Sequence, residues 1–128
     1  MLKDYMFNGK ETFHIHKVST NETSHCLSKE DAENKMAENE KKLDTLQQKL
    51  YADKKEGLIV VFQAMDAAGK DGTIAHVLQC LSPHGVYEAA FKAPSSTELA
   101  HDFLWRIAQQ VPAKGEIAIF NRSHYEDV

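Results

Sequence analysis

Leu58-Ile59-Val60-Val61-Phe62, then Gln63-Ala64-Met65-Asp66-Ala67-Ala68-Gly69-Lys70-Asp71-Gly72-Thr73, then Ile74, Val77, Leu78 and Leu81: this stretch decides the fold. A continuous apolar, β-branched run suits a strand buried on both faces, as in a parallel sheet. Ile74, Val77, Leu78 and Leu81 stand at i, i+3, i+4 and i+7, the apolar stripe of a helix. Ser82-Pro83-His84-Gly85 stops that helix, and Val86 to Phe91 reads as a second strand. Ser95 and Glu98 have capping-box spacing, and Phe103, Leu104, Ile107 and Val111 give the next helix an apolar face. Pro112-Ala113-Lys114-Gly115 ends it. Glu116-Ile117-Ala118-Ile119-Phe120 is a third strand, running into Asn121-Arg122-Ser123. Strand, helix, strand, helix, strand predicts a three-layer α/β arrangement with a parallel sheet. Ligands in such folds bind beyond the carboxyl ends of the strands, where the polar clusters 63–73 and 121–127 both fall.

Upstream, Ser28 and Asp31 form a looser capping box and open a long helix over about 29–54. Met36, Leu43 and Leu50 recur every seven residues beside Leu46, a narrow stripe that Asn39 interrupts. The pattern predicts a helix packed on its own domain rather than a coiled coil, with Gly57 ending it. Residues 1–27 are polar and irregular, and form an N-terminal arm preceding the α/β segment 28–128. Within the arm, Phe13 to Val18 alternates like a brief strand, which would turn His14 and His16 the same way as a solvated face. Open parallel sheets have about five strands, so three strands read as an incomplete sheet and the chain as a truncated or split protein. An open edge on the third strand would invite pairing with a partner.

At 128 residues the chain is at most one domain; 42% hydrophobic and 27% charged residues argue against wholesale disorder. No run approaches the ~20 apolar residues of a membrane span, and no apolar leader core is present, so a cytoplasmic location is expected. Cys26 and Cys80 form no metal-type pair and read as reduced. The net charge of −4 argues against a nucleic-acid partner. Residues 57–128 carry eight acids and five bases, so an anion site must come from a few placed cations and backbone amides.

The loop after the first strand offers such a site. A glycine-containing loop entering a helix N-terminus points backbone N–H groups at phosphate, and a lysine adds a full charge. Against the P-loop (Walker A) pattern G-x-x-x-x-G-K-[ST], the frame reads Ala64-Met65-Asp66-Ala67-Ala68-Gly69-Lys70-Asp71. Gly69-Lys70 is in place; Ala64 replaces the first glycine, and Asp71 stands at the hydroxyl position with Thr73 two residues on. Asp66 has two readings. A carboxylate ~4 Å from a phosphate charge is repelled by roughly 4 kcal/mol at a dielectric of ~20, a conflict that a bridging Mg²⁺ removes. Alternatively, Asp66 caps the helix and Gly69 only makes a turn.

VVFQAMDAAGKDGTIAHVL (60–78), FKAPSSTELAHDFLWRI (91–107) and GEIAIFNRSHYEDV (115–128) resemble the polyphosphate kinase 2 family of polyphosphate-dependent nucleotide phosphotransferases. The resemblance covers essentially the whole chain and about the first half of the family's catalytic domain. It implies a P-loop kinase-like fold, with Mg²⁺ as cofactor and inorganic polyphosphate and adenine nucleotides as partners. The form FNRSHYEDV with Ala64 before Met65 implies the subgroup acting on both AMP and ADP. By the same resemblance Asp66 helps hold metal, Lys70 binds phosphate, and Ala67, Ala68, Gly69, Asp71, Gly72 and Thr73 complete the loop. Asn121-Arg122 stands where many members have Asp-Arg, which removes a charge from a Walker B-type position; Glu126 or Asp127 is the candidate to replace that metal ligand. The full-length family is expected to form homo-oligomers.

Asp66, Lys70 and Arg122 are therefore the candidate catalytic residues, the two cations neutralising charge on the transferred phosphoryl group. Lys92 and Arg106 are candidates on the acceptor or polyphosphate side, set against solvent exposure for Lys92 and a structural salt bridge for Arg106. Phe103 and Trp105 read as core, and His124 and Tyr125 as packing near the site. His101-Asp102 within a helix start is a weak match to a metal-phosphohydrolase dipeptide. The family's lid and further basic residues would lie beyond Val128, so this chain alone should bind weakly and turn over poorly. The competing readings are a non-catalytic phosphate-binding module completed by a partner chain, and an ATP- or GTP-hydrolysing P-loop protein.

Overall fold

The computed structural model describes residues 6–19 and 27–126. The chain divides into two compact units, Met1–Asn34 and Lys35–Val128. In the first, no strand forms at Phe13–Val18: Ile15–Lys17 is a 3₁₀ turn, and all its residues are exposed. A strand needs a pairing partner, and here Lys17 N–H instead donates to His14 carbonyl at 2.9 Å, while Phe13 meets Phe7 edge-on at 5.3 Å. Ser28 opens helix α1 (Lys29–Asp53) as expected, its Oγ accepting from Asp31 N–H at 3.1 Å.

The second unit contains β1 (Leu58–Phe62), α2 (Lys70–Leu78), β2 (Val86–Ala90), α3 (Ser96–Leu99), α4 (Trp105–Ala108) and β3 (Ile117–Asn121). All three strands are parallel, in the order β1-β3-β2. The register sets Phe62 and Ala90 on either side of Asn121, so all three strands end level. That alignment brings the segments beginning at Gln63, Phe91 and Arg122 to one end of the sheet.

Alternation along β3 divides the core. Ile117 and Ile119 pack with Ile74 of α2, flanked by Leu50 of α1 and by Val60, Phe62, Leu78 and Val86. Ala118 and Phe120 face the other way, into Ala89, Phe91 and Ile107 of α4. Phe91 and Phe120 meet edge-on at 4.9 Å. Helices thus lie on both faces, in the three-layer α/β arrangement expected.

Several details differ from expectation. The third strand is no edge: β3 is central and buried over Ile117–Phe120, and the edges are β1 and β2. β1 is not buried on both faces, since Leu58, Ile59 and Val61 are 39–47% exposed. Ile59 and Val61 lie beside Ala118 and Phe120, but the cluster formed there by α4 includes no β1 residue. α1 ends at Asp53, with Lys54 in the left-handed region at φ 50°. Gly57 serves a different purpose, because a Cβ there would sit 2.9 Å from the Ala113 carbonyl.

The single helix expected after Ser95 is broken into α3 and α4. Ser95 and Glu98 do form a full capping box. The Asp102 carboxylate then accepts from Leu104 N–H at 2.9 Å, and the Asp102 carbonyl from Trp105 N–H at 2.8 Å, which restarts the chain as a new helix. Phe103 and Trp105, expected in the core, are exposed at 46% and 36%; Ile107 alone of the predicted stripe is buried. Trp105 stacks instead on the His101 ring at 4.2 Å.

Candidate functional site

Beyond the level strand ends lies a cavity of about 490 Å³. Its lining comes from three segments: Asp66, Ala67, Gly69, Lys70, Asp71 and Gly72 from the loop and start of α2; Ala90, Phe91, Lys92 and Ala93 from the end of β2; Asn121 and Arg122 from the end of β3. Nine of the expected site residues are therefore brought together. Ala68 and Thr73 are not in the lining. The Thr73 hydroxyl donates to the Gly69 carbonyl at 2.9 Å, which turns it back onto its own helix. Asp127 lies outside the described residues, as does Cys26. Among the described residues, no group of three or more His, Cys, Asp or Glu side chains converges as a metal cage.

The loop geometry follows from its residues. Gly69 caps α2 at φ 88°, a conformation glycine adopts without penalty, and no side chain caps the helix. The first-turn N–H groups of α2 therefore retain the polarity that attracts anions. Ala67 (φ 61°) and Arg122 (φ 67°) are also left-handed, although neither is glycine. Such residues cost of order 1–3 kcal/mol each and persist where the surroundings fix them. Arg122 N–H donates to the Phe62 carbonyl at 3.0 Å, and the buried Ser123 hydroxyl donates to Gln63 Oε1 at 3.2 Å. These two bonds clamp the end of β3 against the start of the loop.

Three of the five basic residues in 57–128 line this cavity: Lys70, Lys92 and Arg122. Lys70 Nζ donates to the Ala64 carbonyl at 3.2 Å. Arg122 Nη2 donates to Asp66 Oδ1 at 2.9 Å. Asn121 Nδ2 donates to Asp71 Oδ1 at 2.7 Å and to Glu88 Oε1 at 3.0 Å. Glu88 escaped the reading of the sequence; its signal is a carboxylate in the middle of the strand run Val86-Tyr87-Glu88-Ala89-Ala90.

Arg106 is held by contacts within the fold. It is 7% exposed, its Nη2 donates to the Lys92 carbonyl at 2.9 Å, and its guanidinium lies 5.2 Å from the Phe91 ring centre. Glu98 is 3.9 Å away, and its carboxyl is held below the usual range, first by the Ser95 N–H it accepts. Arg106 lies outside the cavity of Lys70 and Arg122 and shares a neighbouring one of about 370 Å³ with Lys92.

The donor set fits a divalent cation of the magnesium type. Such an ion takes one or two carboxylates and completes its shell with water and substrate phosphate rather than a protein cage. Asp66 and Asp71 supply carboxylates beside three cations suited to phosphate. The arrangement can hold a condensed anion, and the two carboxylates could hold a cation beside it.

Residues 26–128 match the sequence model of the family described as Polyphosphate kinase 2 (PPK2). The AMP/ADP-polyphosphate phosphotransferase of Meiothermus ruber is 45% identical over 128 residues, covering 99% of this chain and 48% of that protein. The ADP-polyphosphate phosphotransferase of Rhodopseudomonas palustris is 54% identical over 87 residues, covering 68% and 30% respectively. The crystal structure of polyphosphate kinase 2 from Arthrobacter aurescens superposes with a TM-score of 0.85 at 41% identity, over 96% of this chain and 44% of that one. The chain thus spans about half the length, or less, of these relatives. The sequence match over residues 26–128 and the superposition agree, and the chain belongs to the polyphosphate kinase 2 family.

Proposed function

We propose that this chain carries the phosphate-loop portion of a polyphosphate-dependent nucleotide kinase, which moves phosphoryl groups between inorganic polyphosphate and AMP or ADP. The observation that carries the reading is the single cavity shared by Lys70, Arg122, Lys92 and the N-terminus of α2, with Asp66 at its lining. In the transfer, the bond between the terminal phosphorus and its bridging oxygen breaks. A bond forms from that phosphorus to a phosphate oxygen of the nucleotide, and the polymer shortens by one unit. Charge spread over the transferred group is met by the Lys70 ammonium and Arg122 guanidinium, and the helix N–H groups orient the phosphate chain. Lys92 is placed for a more distant phosphate. Asp66 would hold Mg²⁺, with Asp71 as a second carboxylate and Asp127 a further candidate, and the bound ion would supply charge neutralisation beside the phosphates. Gly69 and Gly72 let the chain approach the phosphates, and Asn121 fixes Asp71.

The nucleotide kinases of this family named above act as longer chains, so the 128 residues should bind condensed phosphate while turning over slowly. Cytoplasmic location and homo-oligomeric assembly belong to the same proposal; among the described residues no helix is long and apolar enough to cross a membrane. The test is ³¹P NMR of polyphosphate with AMP or ADP and Mg²⁺, comparing this chain with Lys70→Ala. New nucleotide β- or γ-phosphate resonances from the parent alone support the reading; identical spectra remove it. One observation favours a second role, as a phosphate-binding module completed by another chain: the exposed apolar edge strand β1, with Leu58, Ile59 and Val61.

A further inference from the structure

We propose that the free edge of β1, with the uncovered face formed by Ile59 and Val61, docks a separate polypeptide that supplies a helix and a further parallel strand. This docking surface rests on the second role given above, a phosphate-binding module completed by another chain. The sheet has two edges, and they differ. In β2 the exposed residues are Glu88 and Ala90, one charged and one small, and a charged residue on an edge strand guards it against pairing. In β1 no residue from Leu58 to Phe62 is charged, and Leu58, Ile59 and Val61 are exposed. Such an unguarded apolar edge is a template for another strand.

One face beside that edge is also uncovered. The register puts Ile59 next to Ala118 and Val61 next to Phe120. Paired neighbours point to the same side of a sheet, so both share the face on which Ile107 of α4 packs with Ala118, Phe120 and Ala89. Among the described residues that cluster includes β3 and β2 but not β1. The handedness of parallel connections selects the same face. The β1-to-β2 connection passes β3 with α2 on the side of Ile117 and Ile119; the β2-to-β3 connection runs back with α4 on the other side. A strand beyond β1 is reached from β3 in that same backward direction, so a right-handed connection lays its helix beside α4, over Ile59 and Val61. The occupant is therefore a helix–strand unit. A second copy pairing edge to edge would add a strand, but its α2 and α4 are already committed to its own sheet. A polypeptide carrying the rest of the family's length can supply both, since these residues span 48% of the Meiothermus ruber enzyme and 44% of the Arthrobacter aurescens chain.

The test co-expresses the tagged 128-residue chain with a polypeptide carrying the residues of the Meiothermus ruber enzyme that lie outside the match. The two should purify together, sediment as a one-to-one complex, and phosphorylate AMP or ADP from polyphosphate faster than the chain alone. Ile59→Lys and Val61→Lys should each weaken the complex by at least about tenfold, because lysine under a docked helix buries an unpaired charge. Both positions are exposed in the chain alone, so its circular dichroism should not change. Val61→Thr, nearly the same shape, separates docking from misfolding and should weaken the complex in the same direction. Leu46→Lys, an exposed position on α1, should leave the complex intact. No co-purification, or equal co-purification by every β1 variant, overturns the docking surface. So does a dimer of the chain alone that Val61→Lys abolishes, which would give the surface to a second copy. A complex lost in Val61→Lys but without phosphoryl transfer keeps the surface and overturns the kinase reading.

Discussion

Arg106→Ala should cost stability and spare phosphate binding. Its Nη2 bond to the Lys92 carbonyl is short and sits on a side chain that is 7% exposed. A hydrogen bond from a charged donor contributes about 1.5–3 kcal/mol. The guanidinium over Phe91, largely removed from water, adds about 0.5–2 kcal/mol. Glu98, at 3.9 Å and partly exposed, adds less than about 1 kcal/mol. Truncation also relieves the desolvation of a buried charge, which offsets part of the loss. The balance is a destabilisation of about 2–3 kcal/mol, or a urea midpoint lower by about 1 M for a chain of this size. Arg106→Lys keeps the charge but loses the planar fork, and should recover less than half of it. The assay is urea denaturation followed by far-UV circular dichroism, paired with calorimetric titration of Mg²⁺-tripolyphosphate into folded protein. An unchanged midpoint with binding abolished would refute the reasoning and return Arg106 to the phosphate-contacting set.

Lys70→Ala should weaken Mg²⁺-tripolyphosphate binding by at least about tenfold while stability read by urea denaturation stays within the ~0.5 kcal/mol usual for exposed sites, because the Lys70 Nζ bond to the Ala64 carbonyl is exposed. Gly72→Ala should stabilise the chain by about 0.5 kcal/mol, since its φ is ordinary and a Cβ meets nothing within 4 Å. The same methyl projects into the cavity lining, so affinity in that variant should fall. Tyr87→Phe should cost about 1 kcal/mol through loss of the phenol's 2.8 Å bond to the Gln110 carbonyl, read by the urea midpoint near neutral pH. Burial first, and then Glu116, raises the Tyr87 phenol above its ordinary value of 10.0. Its contribution is therefore complete below pH 10 and lost as pH rises through the higher folded value; the Phe variant should lack that alkaline decline.

The strand–loop–helix unit 58–78 was legible because everything that forms it is local. An apolar run, a left-handed Gly69 and a helical stripe follow one another without help from distant residues. Strand order was not legible: insertion of β3 between β1 and β2 depends on pairing across about sixty residues, and no short pattern encodes it. The break at 100–104 hid behind a good apolar periodicity, because Asp102 offers the backbone a competing acceptor. In the arm, alternation at Phe13–Val18 promised a strand but supplied no second strand to pair with it. At the site, residue types were readable and contacts were not. Nothing local to Asp66 announces that Arg122 will reach it, since the contact depends on Arg122 adopting φ 67° at the end of the central strand.

Asn121 shows how such contacts alter the meaning of a residue. The family resemblance suggests an aspartate there, and by charge alone an asparagine looks like a lost metal ligand. Its surroundings favour the amide. Nδ2 has two hydrogens, and Asp71 and Glu88 each take a bond from that nitrogen. An aspartate in its place would bring three carboxylates together with no donor among them, at a cost like that of any clustered like charges. Glu88 in β2 and the carboxamide in β3 are therefore one arrangement, written on two neighbouring strands. Its effect is to hold Asp71 through a neutral partner, so that this carboxylate in the cavity of Lys70, Lys92 and Arg122 is already engaged. In the proposed function Asp66 is the first carboxylate that would hold a cation. The net charge of −4 conceals this division, because the cavity's character comes from which acids are bonded to amides and which to cations.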